Sequence, residues 1–238
     1  IVQKETFADV AAAAKQEGKT VVAGGPYVTQ YYDQVENVDH FVLGEAESGV
    51  LQRFLQDWAH GTPQKAYVHH KLRRKTAEKE IDAGEWQRLI DHFGAGRTVQ
   101  TVYDRPDMDA SPMPRYELLN LAAYASMSVQ MSRGCPFACE FCSEPALFGH
   151  RPRVKSGARI LDELKCIYEL GYRGSVFFVD DNFIGNVGKA TAALGLIEEF
   201  QKARDYPFQL YTEASINLAQ HEDLMNAMSD AGFNMVFV

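Results

Sequence analysis

The sequence predicts an α/β protein in two parts: the C-terminal part of a doubly wound, Rossmann-like domain, then a partial βα barrel. Three observations carry this. Short apolar runs alternate with stretches of helical periodicity near the start of the chain and again from about residue 127. In the first part, short apolar strands between helices imply a parallel sheet covered on both faces. Three of these runs end on Gly24, Gly44 and Asp180, the punctuation of strand-to-helix turns.

In the first part, Thr6 to Gln16 is alanine-rich and helical, and Gly18 stops it. Thr20 to Ala23 is a short strand ending on Gly24, Gly25 and Pro26. Phe41 to Leu43 is a second strand, ending on Gly44 and Glu45. A helix follows, with Val50, Leu51, Phe54, Leu55 and Trp58 at helical spacing. These elements define a first domain over residues 1–62.

Residues 63–126 read as a linker and helical connector. His69 to Lys79 is strongly basic, and Glu80 to Phe93 has the pattern of an amphipathic helix. Asp104 to Pro114 holds three prolines and several aspartates, as linkers do. The basic run from Lys71 to Lys75 reads as a solvated helix face rather than a nucleic-acid contact. His69 and His70 lack a partner at metal-ligand spacing.

The third part, 127–238, has the clearer rhythm. Ser128 to Met131, Ser175 to Val179, Phe208 to Tyr211 and Asn234 to Val238 read as strands. Helices from Ala158 to Leu170, Lys189 to Arg204 and Glu222 to Ala231 separate the last three from what precedes them. Repeated βα units of this kind build barrels, and here the N-terminal part of one. The chain opens on Ile1 and closes on an apolar strand, so both ends read as cut and a fragment is expected.

Composition narrows the class. Among 238 residues, 46% are hydrophobic and 24% charged, ordinary values for a globular protein. A formal net charge of -8 argues against non-specific binding of nucleic acid or an anionic membrane. There is no apolar run of membrane-spanning length and no signal peptide, so a cytoplasmic location is expected. Of four cysteines, three fall within eight residues, and none precedes Cys135. That clustering points to metal chemistry in a reducing compartment rather than to a disulfide framework.

The cysteines lie in Ser132-Arg-Gly-Cys135-Pro-Phe-Ala-Cys139-Glu-Phe-Cys142. Thiolates are the soft ligands that iron–sulfur clusters take, and this spacing lets three wrap one face of a cubane. The remaining Cys166 falls inside a predicted helix and reads as a small, half-buried helix residue. One iron is then left open for a small-molecule ligand. Zinc held by the three cysteines and His150 is the competing reading. Gly134 permits an unusual backbone angle, Pro136 stiffens the turn, and Phe141 can lay an aromatic face beside a purine.

This loop, with an aromatic before its third cysteine, resembles that of the radical S-adenosylmethionine superfamily. The segments Pro114 to Leu119, Cys142 to Gly149, Gly174 to Gly185 and Tyr211 to Asn217 resemble its cobalamin-binding subgroup, which includes proteins similar to hopanoid methylases. Residues from about 69 to 100 match poorly. The resemblance implies a [4Fe-4S] cluster on Cys135, Cys139 and Cys142 that cleaves S-adenosylmethionine to a 5′-deoxyadenosyl radical. It also implies bound cobalamin and methyl transfer to a small molecule, lipid-like in that subgroup. An external electron donor such as flavodoxin or ferredoxin is implied as well. No catalytic residue is assigned.

Supporting positions follow from the same resemblance. Asp180 and Asp181 end a strand, where βα barrels place their chemistry; a turn with a helix cap is the alternative. By analogy they hold S-adenosylmethionine together with Phe141. Glu213 and Ser215 end the next strand beside Thr212, and either touch the same cofactor or form a satisfied polar rim. Gly24, Gly25, Pro26, Gly44 and Glu45 sit at carboxyl ends of strands in the doubly wound part, where such folds bind ligands. By resemblance the ligand there is cobalamin; taken alone, the glycines make a tight turn. Two other functions remain open. A radical methylthiotransferase would carry a second cluster on earlier cysteines, which this chain lacks. A non-enzymatic iron–sulfur or zinc module would recruit Cys166 or His150.

Overall fold

In the computed structural model, which describes residues 4–69, 83–101 and 105–238, the alternation of helix and strand produces two separate four-stranded parallel sheets. Each sheet belongs to its own compact unit, Ile1–Pro106 and Asp107–Val238.

In the first unit the strands are β1 (Val22–Gly24), β2 (His40–Leu43), β3 (Ala66–His69) and β4 (Thr98–Thr101), side by side in chain order. The helices are α1 (Lys4–Gln16), α2 (Gly25–Tyr31), α3 (Val50–Ala59) and α4 (Ala83–Phe93). Successive strand residues point to opposite faces, so both need covering. On one face Phe41, Leu43 and Val68 pack with Val28 of α2 and with Leu89 and Phe93 of α4. On the other, Val42 and Tyr67 pack with Val50 and Phe54 of α3. The buried Tyr67 hydroxyl donates to Asp57 at 3.0 Å and accepts from Gln64 N–H at 2.8 Å, so its polar end is satisfied.

The first sheet runs on through much of the stretch expected as a connector. β3, α4 and β4 belong to the first unit, and the chain divides at Pro106 rather than near residue 62. The reason lies in strand length and position. β3 is four residues with histidine at its end, and β4 is an edge strand, where polar composition such as Thr-Val-Gln-Thr is tolerated. The run Lys71 to Lys75, together with His70, lies outside the described residues.

The second unit has β5 (Ser126–Val129), β6 (Ser132–Arg133), β7 (Arg153–Val154), β8 (Gly174–Phe178), β9 (Phe208–Glu213) and β10 (Phe233–Phe237). The parallel sheet is ordered β5, β8, β9, β10, while β6 and β7 form a small antiparallel ribbon. Between them run α5 (Glu144–Phe148), α6 (Gly157–Glu169), α7 (Val187–Lys202) and α8 (Glu222–Asp230). One face of the sheet is core: Met127, Val129, Val176, Phe178 and Leu210 pack with Ile160, Leu164 and Ile167 of α6 and with Leu194 and Ile197 of α7. On the opposite face Phe177 of β8 stacks on Tyr211 of β9, centroids 4.7 Å apart and planes 6° from parallel. Strands laid down in chain order, with helices on one face only, are the βα arrangement expected from the sequence.

Candidate functional site

The cysteine loop hangs between the two strands of the antiparallel ribbon, beyond the carboxyl end of β5. Its base is closed by backbone: Cys135 N–H donates to Gly149 O at 3.1 Å, and Lys155 N–H to Met131 O at 2.8 Å. Gly134 has φ +93°, and a Cβ there would lie 2.8 Å from Gly149 O and 3.0 Å from Arg151 O. Only glycine fits that approach. Further along, Cys142 N–H donates to Cys139 O at 3.0 Å, which turns the loop back toward α5.

Three side chains pin the loop. Asp180, at the end of β8, is 1% exposed and accepts from Met131 N–H at 3.0 Å and from both the N–H and the hydroxyl of Ser132. Burial pushes its carboxyl up to about 6, against the pull of Ser132, the two backbone donors and Lys155. Glu144, also buried, accepts from Gly134 N–H at 2.8 Å, while its own N–H donates to Cys142 Sγ at 3.4 Å. Burial and the neighbouring charges of Asp181 and Asp180 lift the Glu144 carboxyl to about 7, against the Gly134 N–H. The third is Asn182, whose Nδ2 donates to Cys135 Sγ at 3.7 Å and whose Oδ1 accepts from Ser215.

This arrangement reassigns several expected residues. Asp180 is committed on both oxygens to the backbone ahead of the cysteines, so it positions the loop and is not turned toward a ligand. Thr212 is buried and donates to Phe178 O at 3.0 Å, a tie between strands. Asp181 and Glu213 are exposed, and with Ala214, Phe237 and Val238 they line a cleft of about 370 Å³. Phe141 stands 94% exposed at the loop tip beside the exposed Cys139, with Cys135 and Cys142 half-buried. The thiols are carried on one loop without being drawn together. Among the described residues, no group of three or more His, Cys, Asp or Glu side chains is gathered closely enough to hold a metal ion.

The pinning residues Glu144 and Asn182, and Ser132 that Asp180 holds, carry no site signal of their own in the sequence. The faint signal was an amide directly after two aspartates at a strand end. The competing fourth ligands take other places: Cys166 packs against the core from α6, and His150 is exposed.

In the first unit the five expected residues lie at the carboxyl ends of β1 and β2. Gly24 is pressed on the next strand, since a Cβ would meet Val42 O at 2.6 Å. Gly25 and Pro26 open α2 rather than forming a free turn, and the surroundings of Gly25 are open. Gly44, φ +100°, lies against His69 of β3, and its N–H donates to Thr29 Oγ1 at 3.0 Å. Glu45 is buried, 3.8 Å from the guanidinium of Arg105.

No family model matches the chain. The whole chain is 38% identical over 240 residues to an uncharacterised methyltransferase of Synechocystis, of which it covers 38%. It is 33% identical over 237 residues to the hopanoid C-2 methylase of Rhodopseudomonas palustris, covering 39%. The chain therefore spans less than half the length of these relatives. Among solved structures, the radical S-adenosylmethionine methyltransferase TsrM of Kitasatospora setae, with cobalamin and a [4Fe-4S] cluster bound, superposes with a TM-score of 0.66. Identity there is 18%, over 96% of this chain and 43% of that one. The cobalamin-dependent S-adenosylmethionine radical enzyme OxsB superposes with a TM-score of 0.64 at 15% identity, over 98% of this chain and 33% of that one. The likeness to both structures is one of fold. Among the described residues, no helix is long and apolar enough to cross a membrane.

Proposed function

We propose that this chain is the segment of a cobalamin-dependent radical S-adenosylmethionine methyltransferase that binds both cofactors. One observation carries the reading: three cysteines on one loop, pinned at the carboxyl ends of parallel strands, with the fourth cysteine packed elsewhere against the core. The donor set fits a cluster with one open iron. Two of the sulfurs receive N–H···S hydrogen bonds, the contacts that stabilise and tune cluster thiolates.

When bound, the [4Fe-4S] cluster supplies the electron that cleaves S-adenosylmethionine to a 5′-deoxyadenosyl radical, and methylcobalamin supplies a methyl group. The chain's own residues hold and orient. Cys135, Cys139 and Cys142 would hold the cluster. Phe141, in solvent at the loop tip, would lay its ring beside a purine. Asp181 and Glu213, which line one cleft, and Ser215 nearby are suited to the polar groups of S-adenosylmethionine, its amino group above all. Gly24, Gly25 and Pro26 leave little side chain between a ligand and the backbone at the end of β1, which suits cobalamin's nucleotide tail. Gly44 and Glu45 border the same edge, Glu45 braced by Arg105. The substrate is a small molecule, lipid-like by kinship with the hopanoid methylase, and the electron comes from a flavodoxin or ferredoxin in the cytoplasm.

The test is product formation. The intact, cluster-loaded protein, given S-adenosylmethionine and a low-potential reductant without oxygen, should release 5′-deoxyadenosine. None released at full cluster content would contradict the reading.

A further inference from the structure

The side-chain amide of Asn182 joins the first cysteine to the end of β9. Its Oδ1 accepts from Ser215 N–H at 3.2 Å and lies 3.0 Å from the Ser215 hydroxyl, whose one proton is shared with Asn217 Oδ1 at 2.5 Å, and its Nδ2 faces Cys135 Sγ at 3.7 Å. The orientation follows from chemistry. A backbone N–H only donates, so the amide atom facing Ser215 N is the oxygen, and the NH₂ is left for the sulfur. The side chain is 4% exposed, so water competes poorly for either end. The turn carrying it is fixed too. Phe183 N–H donates to Glu213 O and Gly185 N–H to Asn182 O, each at 2.9 Å. Gly185 in turn abuts the cysteine loop, where a Cβ would stand 3.5 Å from Pro136 Cδ.

We propose that Asn182 is a positioning residue that orients the Cys135 sulfur and draws electron density from it, with Ser215 locking the amide in the donating orientation. This rests on the cluster reading above. A hydrogen bond donated to a cluster thiolate favours the reduced, more negative state, and so raises the reduction potential. Beyond its place after two aspartates, nothing in the sequence marks Asn182 as part of the site; the bridge from Ser215 to Cys135 does.

The experiment is a redox titration of the intact protein, reconstituted anaerobically with iron and sulfide and followed by electron paramagnetic resonance without S-adenosylmethionine. Wild type is compared with Asn182→Ala and Asn182→Asp; the aspartate keeps an acceptor for Ser215, removes the donor and adds charge. With iron content unchanged, the potential should fall in Asn182→Ala by on the order of a tenfold change in the reduction equilibrium, about 59 mV for one electron. It should fall further in Asn182→Asp. Equal potentials in the three proteins would overturn the proposal. Loss of iron from folded variants, or unfolding of both, would assign Asn182 a structural role alone and overturn it equally. Failure of the wild type to take up a cluster would instead overturn the reading beneath it.

Discussion

Asp180 Oδ1 accepts hydrogen bonds from both the backbone N–H and the hydroxyl of Ser132, 48 residues earlier in the chain. With the bond from Met131 N–H to the other carboxylate oxygen, this fastens the end of β8 to the lead-in of the cysteine loop. An aspartate at a strand end, expected to face a ligand, instead sets where the ligand-bearing loop begins.

Asp180→Ala should therefore cost stability well beyond an ordinary surface change. It leaves three buried donors without their acceptor, and each unsatisfied group costs about 1–3 kcal/mol, part of it recovered by relaxation. A net loss of about 3–4 kcal/mol is expected in urea denaturation of the intact protein. A loss below about 1 kcal/mol would show that the contact does not hold the loop.

The same carboxyl gives a pH signature. Its folded value, about 6, lies above the ordinary 3.8, so the folded state binds the proton more tightly than the unfolded chain. The resulting stabilisation is complete below about pH 4 and is lost as pH rises through 6. Relative to Asp180→Asn, wild type should gain about 2 kcal/mol between pH 7 and pH 4. Denaturation midpoints of the two proteins across that range check the sign; parallel curves would contradict it.

Lys155, whose backbone holds Met131, has its ammonium 2.6 Å from Glu163, with both side chains almost fully buried. Glu163→Ala strands a buried cation and should cost about 3–5 kcal/mol, whereas Lys155→Met with Glu163→Leu should cost far less. A double-mutant cycle measures the difference.

Gly134→Ala combines a positive φ with a Cβ 2.8 Å from a carbonyl oxygen. The strain, about 1–2 kcal/mol from the backbone alone, falls on the residue before Cys135. Iron bound after reconstitution should drop sharply while far-UV circular dichroism is kept. Cys166→Ala, in α6, should leave iron content unchanged.

The parts of this fold legible in the sequence were those with strong local patterns. α3, α6, α7, β8 and β9 emerged from periodicity and length, and the cysteine spacing marked the loop. β3 and β4 did not: β3 is apolar and buried over Ala66, Tyr67 and Val68 but runs at His69 into a basic stretch that masks it, and β4 is a polar edge strand with little apolar signal. The residues that pin the loop were hidden for another reason. Asp180, Glu144 and Asn182 act through hydrogen bonds to backbone, sulfur and hydroxyl groups, two of them across more than 40 residues. No spacing rule encodes such pairs. Asp180-Asp181-Asn182 reads equally as a helix cap, a ligand cluster or a brace. The fold makes the first a brace, leaves the second exposed in a cleft, and turns the third to sulfur.

The central claim is a cluster on three cysteines with one iron open. Its most direct test is electron paramagnetic resonance of the reduced, reconstituted intact protein, recorded with and without S-adenosylmethionine. The account predicts a [4Fe-4S] signal that changes on adding S-adenosylmethionine and disappears in Cys139→Ala. A signal indifferent to S-adenosylmethionine, or one that survives Cys139→Ala, would contradict it.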